Sequence, residues 1–192
     1  PGGAPKPCML YSPGTYLSSI NVTNNVAVFA PGIYYMLGNN TDFKTGANGY
    51  MTMATGMTDP VTGTGWTGNM LVYMTGPNHS GGCTPPVTPA HDIGIIDVGA
   101  NGFVNLTGSP TGSSYKGILF FVDRAAMTQT PATKPGVSLG GNSALALIGT
   151  IYMAETIAMM GRTSATTCGQ FQLLNLQGGS GSTTNITGEI IA

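Results

Sequence analysis

Hydrophobic and polar positions alternate over short stretches of this chain, which is the pattern of β-strands. The apolar runs are bounded by Gly, Pro and Asn, and the three-and-four spacing of an amphipathic helix is almost absent. The pattern predicts strands at residues 20–22, 26–30, 33–37, 49–53, 70–75, 93–98, 102–106, 117–122, 137–139, 144–147, 150–153, 156–159, 170–176 and 185–191. Strands this short favour many small rungs over long hairpins.

A weak repeat of turn motifs indicates that the strands are wound into stacked coils. The segment Ser12-Pro-Gly-Thr-Tyr16 returns 18 positions later as Ala30-Pro-Gly-Ile-Tyr34. Pro followed by Gly suits the two central positions of a tight turn. Gly- and Asn-rich corners follow at residues 99–102, 140–143 and 178–182. We predict an all-β solenoid, with an antiparallel β-sandwich as the alternative.

Two segments of different character divide the chain. Residues 1–10 are proline-rich and are predicted to be extended, whereas residues 11–192 are predicted to form a single β-solenoid domain. The chain begins without a basic and apolar targeting segment, so we expect a mature or excised form. The longest apolar stretch, residues 144–160, is interrupted by Gly, Thr and Glu, and we therefore expect no membrane span in this chain.

The amino-acid composition indicates that the surface carries few charged side chains. Charged residues make up 7% of the chain, hydrophobic residues make up 41%, and the formal net charge is -1. Clustered cations that could neutralise phosphates are missing, which excludes nucleic acid as a partner. A nearly neutral surface of Thr, Ser, Asn and Gly also lacks the repulsion that keeps copies of a protein apart. Self-association is therefore favoured.

Several of these segments together resemble a known family. The segments 12–16 and 30–35, the run Tyr115-Lys-Gly-Ile-Leu-Phe-Phe-Val-Asp-Arg124, Gly149-Thr-Ile-Tyr-Met153 and Cys168-Gly-Gln-Phe-Gln-Leu-Leu174 carry the resemblance. They resemble the C-terminal extracytoplasmic β-rich region of prokaryotic secreted proteins associated with Flp/Tad pilus assembly (TadG-like). The resemblance implies that this chain folds as a right-handed parallel β-helix. Members of the family carry a membrane helix on the N-terminal side of this region. The resemblance implies no catalytic residue.

Cysteine and asparagine positions fit a secreted, cell-surface or extracellular protein. The three cysteines, Cys8, Cys83 and Cys168, permit one disulfide in any of three pairings. Five Asn-x-Ser/Thr sequons are candidate glycosylation sites, at Asn21, Asn39, Asn78, Asn105 and Asn185. The composition alone accounts for about two or three such triplets, so the sequence leaves glycan attachment open.

Residues that could carry metal or catalytic chemistry are few and poorly spaced. His79, Cys83, His91, Asp92 and Asp97 offer metal-ligand atoms, but their spacing matches no zinc signature. Asp92, Asp97 and Asp123 are the acids closest to one another for a lyase or hydrolase. No nucleophile elbow or phosphate loop is present. We therefore predict no enzyme, no bound metal and no cofactor.

The ends of a solenoid suggest a function. In a solenoid, each coil forms backbone hydrogen bonds with the coils on either side of it, but the first and last coils keep unpaired backbone groups. Other copies of the chain can pair with these groups. The predicted assembly interface is Pro7, Cys8, Met9 and Leu10 at one end and Ile190 and Ile191 at the other, where residues 186–192 read as one apolar strand. The sequence thus predicts a structural subunit of an extracellular filament. The alternative is a secreted adhesin or carbohydrate-binding module that uses Trp66, Tyr73 and the loop 75–90 to bind surface glycans.

Overall fold

Short β-strands make up the regular structure of the chain. The computed structural model describes residues 7–38, 41–75, 94–109, 114–123, 137–141, 144–153, 174–178 and 183–191. These residues contain seventeen strands and no helix: β1 (Cys8–Tyr11), β2 (Gly14–Tyr16), β3 (Ile20–Val22), β4 (Val26–Phe29), β5 (Gly32–Met36), β6 (Phe43–Thr45), β7 (Tyr50–Met53), β8 (Met70–Met74), β9 (Ile96–Ala100), β10 (Phe103–Thr107), β11 (Ile118–Val122), β12 (Val137–Gly141), β13 (Ala144–Ile148), β14 (Thr150–Tyr152), β15 (Leu174–Gly178), β16 (Thr183–Thr187) and β17 (Ile190–Ile191). No described helix is long and apolar enough to cross a membrane.

Three parallel sheets form the sides of a column. Sheet A has the order β1-β4-β7-β10-β13-β16, sheet B has β2-β5-β8-β11-β14-β17, and sheet C has β3-β6-β9-β12-β15. The chain visits the sheets in turn, and every pairing between these strands is parallel. The predicted β-solenoid is confirmed as a parallel β-helix, and the antiparallel sandwich is wrong.

The repeat found in the sequence is one coil of this column. Cys8 of β1 pairs with Val26 of β4, which is 18 residues later. Gly14 and Gly32 turn the chain from sheet A into sheet B with φ angles of +152° and +141°, a region that glycine enters without steric cost. The Pro-Gly motifs therefore mark the same corner in successive coils.

The core fills the inside of the column with stacked rows of apolar side chains. In sheet C, Ile20, Phe43, Ile96 and Val137 pair in successive coils, and each is at most 1% exposed. The Phe43 ring also contacts Phe29 of sheet A at 5.5 Å and Phe120 of sheet B at 6.0 Å between centroids. Because each row crosses coil boundaries, burial holds the coils in register.

Some boundaries differ from the prediction. Strands β1, β2 and β6 were not predicted, and β1 begins at Cys8, so residues 8–10 belong to the first coil and not to the extended segment. The single strand predicted at 185–191 is wrong, because Gly188, with φ of +150°, separates β16 from β17 at a corner. The strand predicted at 156–159 lies outside the described residues.

Candidate functional sites: the column ends and an outer aromatic stripe

The two ends of the column are formed by strands that have a neighbour on one side only. Within the described ranges, β1, β2 and β3 are the edge strands at the first end, and β16, β17 and β15 are the edge strands at the last end. Each sheet therefore begins and finishes with an edge. An unpaired edge is a template for pairing with another chain.

At the first end, the backbone groups of Cys8 and Leu10 face away from the column. The N–H of Val26 donates to the carbonyl of Pro7, and the N–H of Ala30 donates to the carbonyl of Tyr11, both at 2.9 Å. Successive residues of a parallel strand direct their backbone groups to opposite sides. The backbone groups of Pro7, Met9 and Tyr11 are thus directed to β4. The N–H and C=O groups of Cys8 and Leu10 are left unpaired at the edge.

At the last end, the backbone groups of Ile190 face outward in the same way. The N–H of Ile151 donates to the carbonyl of Glu189 at 2.9 Å, and the N–H of Met153 donates to that of Ile191 at 2.8 Å. Alternation directs the N–H and C=O of Ile190 away from β14. Both ends thus present unpaired backbone N–H and C=O groups. A further strand that runs parallel to the edge strand could form hydrogen bonds with them.

The side chains at the ends are uncharged, and large apolar ones are exposed among them. Met9, Leu10 and Leu17 are 43%, 46% and 72% exposed at the first end, whereas Ile20 and Val22 of β3 are buried. At the last end, Leu176, Ile190 and Ile191 are 53%, 38% and 36% exposed. None of the six edge strands contains a charged residue, and Glu189 occupies the corner between β16 and β17. The natural devices that blunt an edge, above all lysine, are thus missing from these strands.

The predicted interface residues differ in their orientation. Met9 pairs with buried Ala27, and Ile190 pairs with buried Ile151, so both continue inward rows of the core. Ile191 pairs with Tyr152 on the outer face of sheet B. Cys8 is exposed and forms no disulfide. Cys83 and Cys168, the other cysteines of the predicted disulfide, lie outside the described residues.

Three of the predicted glycosylation sites have exposed asparagines. Asn21, Asn105 and Asn185 lie in β3, β10 and β16, and each is exposed. In two of these sequons the threonine hydroxyl donates to the asparagine side-chain oxygen, from Thr23 at 3.2 Å and from Thr187 at 3.4 Å. Asn39 and Asn78 lie outside the described residues. The asparagine side chains are therefore accessible at three of the sites. Glycan attachment stays a prediction.

Sequence reasoning missed an aromatic stripe on the outer face of sheet B. The stripe consists of Tyr35, Tyr73, Phe121 and Tyr152, which pair in successive coils. Its rings lie 5.5, 4.7 and 4.8 Å apart between centroids in that order. A recurring aromatic-methionine dipeptide, at residues 35–36, 73–74 and 152–153, is the signal that could have revealed it. The methionines face the core, which puts the aromatic residues outside.

A cavity opens beside one end of the stripe. Its volume is about 350 Å³, and Thr15, Tyr35, Leu37, Tyr73, Thr75 and Tyr115 line it. Tyr115 precedes β11 in a turn where the N–H of Ile118 donates to its carbonyl at 3.0 Å. We call this space the tyrosine cavity. Trp66, which the sequence grouped with Tyr73, is not among its lining residues.

A buried carboxylate stands behind the tyrosine cavity. Asp123 is 9% exposed and accepts hydrogen bonds from the Tyr73 hydroxyl at 3.4 Å and the Thr75 hydroxyl at 3.3 Å. Burial, and next the negative charge of Asp123, raise the pKa of Tyr73 to about 12. Tyr73 is thus a neutral hydroxyl at physiological pH.

The structure does not bring the other candidate residues together. Asp97 lies in β9 of sheet C and Asp123 follows β11 of sheet B, while His79, Cys83, His91 and Asp92 are outside the described residues. Within the described ranges, no three His, Cys, Asp or Glu side chains form a group that could hold a metal ion. Asp42 instead makes an ion pair with Lys44 at 2.8 Å on the outside of sheet C.

No protein-family model matches this sequence, and neither a curated protein nor a solved structure shows significant similarity to it. The relation to Flp/Tad pilus-associated proteins accordingly stays an expectation based on the motifs quoted above. The geometry of the column ends and of the aromatic stripe therefore carries the functional inference.

Proposed function

We propose that this protein is a structural subunit of an extracellular filament or surface assembly, and that copies stack head to tail through the column ends. One observation carries the proposal: each of the three sheets begins with an edge strand at the first end and finishes with one at the last end. A second copy placed on top continues sheets A and B, which have six described strands each, while sheet C has one described strand fewer. Such a contact does not close on itself, so it generates a filament.

The strands that would meet are compatible in length and direction. In sheet A, β16 with five residues meets β1 with four. In sheet C, β15 belongs to the coil before β16 and β17, so it does not reach β3 of the next copy. In sheet B, the two residues of β17 meet the three residues of β2. All run parallel, as every internal pairing does. In sheets A and B, the contact between copies would thus repeat the contact between coils.

The exposed apolar side chains and the low net charge both favour head-to-tail stacking of copies. Stacking would cover Met9 and Leu10 at one end and Ile190 at the other, each of which is more than a third exposed in the single chain. The formal net charge of -1 adds little repulsion between copies. The resemblance to pilus-associated secreted proteins agrees with an extracellular location for such a filament.

The decisive experiment blocks each edge without disturbing the coil behind it. Leu10→Pro removes an N–H that faces the open end, so the fold loses no internal hydrogen bond while the next copy loses a donor. Ile191→Lys adds a charge on the outer row at the opposite end. Val61→Lys is the matched control, because Val61 is 90% exposed in the connection between β7 and β8.

Sedimentation velocity over a concentration series and negative-stain microscopy provide the readout, with thermal unfolding as the check on the fold. We expect the unaltered chain and Val61→Lys to form growing linear particles, and the two edge variants to stay folded single units. A chain that stays monodisperse at high concentration, or polymers that persist in both edge variants, would refute the proposal.

A further inference from the structure

Aromatic stacking along the outer stripe is interrupted at one place. Tyr73, Phe121 and Tyr152 stack with interplanar angles of 18° and 7°, so these rings cover one another's faces. Tyr35 is tilted by 46° from Tyr73, and Tyr115 meets Tyr73 edge-on at 77°. Ring surface is therefore accessible where the stack ends, and the tyrosine cavity lies at that place. We propose that this cavity binds one neutral sugar residue of a glycan.

The size and the lining of the cavity fit such a ligand. Its volume of about 350 Å³ lies at the lower end of the range of roughly 300 to 1,000 Å³ for small-molecule sites. A pyranose ring has an apolar C–H face and a rim of hydroxyl groups. Tyrosine matches both, because its ring offers an apolar surface and its hydroxyl offers a hydrogen bond.

The polar side chains of the cavity carry hydroxyl groups, and a carboxylate holds two of these hydroxyls in place. Asp123 accepts from the hydroxyls of Tyr73 and Thr75, which fixes the position of both oxygen atoms. Thr15, Tyr35 and Tyr115 add further hydroxyls to the lining. A hydroxyl donates one hydrogen and accepts through its lone pairs, so this set can meet sugar hydroxyls in either sense.

The lining distinguishes a neutral sugar from charged ligands. The six lining residues include no Lys or Arg, so an anionic sugar finds no cation among them to pair with. A quaternary ammonium ion needs rings but no hydroxyl partners, and a polyproline segment needs an elongated aromatic groove. The combination of ring surface with five hydroxyl-bearing side chains therefore favours a neutral sugar.

The site lies on the flank of the column, so its test is separate from that of assembly. Thr15 belongs to edge strand β2, which the next copy would contact. Binding is therefore measured on dilute, unassembled chain and on the Leu10→Pro variant. Sugar binding by a chain that never polymerises supports the cavity alone, and polymers without sugar binding support the ends alone.

Saturation-transfer NMR provides the assay, with glucose, galactose, mannose and N-acetylglucosamine and their disaccharides as probes. Choline chloride and an oligoproline peptide represent the competing ligand classes. Tyr35→Ala and Tyr115→Ala remove cavity rings at two separate places. Tyr152→Ala is the matched control, because it removes a ring of the same stripe that stacks on Phe121 but does not line the cavity. Thermal unfolding establishes that each variant is folded.

We expect saturable binding of at least one neutral sugar, weakened at least about tenfold by Tyr35→Ala and Tyr115→Ala and changed less than about twofold by Tyr152→Ala. Three results would each overturn the proposal. These are no saturable transfer from any sugar of the panel, saturable binding of choline or oligoproline only, and sugar binding that both cavity variants retain.

Discussion

The buried hydroxyl of Tyr34 offers a quantitative test of how the first coil is attached to the core. Tyr34 is 0% exposed, and its hydroxyl oxygen lies 2.7 Å from the carbonyl oxygen of Ala30 and 2.9 Å from that of Tyr11 in β1, so these two acceptors share its one hydrogen. Burial, with a smaller contribution from Tyr16, raises its pKa above the ordinary value of 10.0. A phenolate at this place would face two carbonyl oxygens without a donor between them. Tyr34→Phe deletes the hydroxyl and keeps the ring.

The magnitude has two parts of opposite sign. At neutral pH, Tyr34→Phe should lower the free energy of unfolding by about 1–3 kcal/mol, because the buried carbonyl of Ala30 loses the hydroxyl as a donor. Above pH 10, the unfolded chain releases the Tyr34 proton while the folded chain retains it. The stabilisation due to this group is therefore complete below pH 10 and falls by about 1.36 kcal/mol per pH unit above it. Two units, to about pH 12, remove about 2.7 kcal/mol from the unaltered chain only.

The assay is urea unfolding of both chains at intervals between about pH 7 and pH 12, followed by circular dichroism. All other ionisable groups are common to both chains, so the difference between the two isolates Tyr34. We expect the unaltered chain to be the more stable at neutral pH, with the advantage gone or reversed by about pH 12. A difference that stays constant across this range would show that Tyr34 titrates alike in both states, which would refute the reasoning.

Two further predictions concern a glycine within β12 and the carboxylate behind the cavity. Gly140→Ala should lower the free energy of unfolding by more than about 1 kcal/mol in the same assay, because Gly140 has φ of +127° and an added Cβ would collide with the carbonyl of Gln177. Gly65→Ala is its control, since no atom lies within 4 Å of a Cβ there, and equal effects would contradict the explanation. Asp123→Asn should lower the pKa of Tyr73 from about 12 while leaving it above 10.0, because burial is the larger cause of the shift. Carbon-13 NMR of labelled tyrosine measures it, and an unchanged pKa would contradict the role given to the Asp123 charge.

Turn chemistry made most of the fold predictable. Gly and Pro mark the corner between sheets A and B, and the 18-residue repeat matches the pairing of Cys8 with Val26. The missed strands show where local patterns fail. β2 and β6 have three residues each, with the sequences Gly-Thr-Tyr and Phe-Lys-Thr, and neither has a strong alternation of its own. Their conformation comes from the strands on which they stack.

The two candidate sites differed in how far the sequence could predict them. The end residues follow from chain order, because the first and last strands of a solenoid must be its edges. The aromatic stripe requires the register of every coil between Tyr35 and Tyr152. That register includes a bulge in β11, where Ile118 pairs with Thr150 but Phe120 pairs with Ile151. A bulge shifts all later partners, and no local signal in the sequence located it.

The energetics of the proposed junction predict a threshold concentration for assembly. Complete burial of one large apolar side chain stabilises by about 1.5–3 kcal/mol. The three partly buried residues that stacking would cover, Met9, Leu10 and Ile190, are 38–46% exposed, so each can gain roughly half of that value. Their sum of about 2–4.5 kcal/mol, with edge hydrogen bonds of about 0.5–1.5 kcal/mol each, is close to the lower end of the estimated 4–15 kcal/mol that association costs in lost freedom of motion. Coils within one chain do not bear that cost. The same contact should therefore be permanent inside the chain and concentration-dependent between chains.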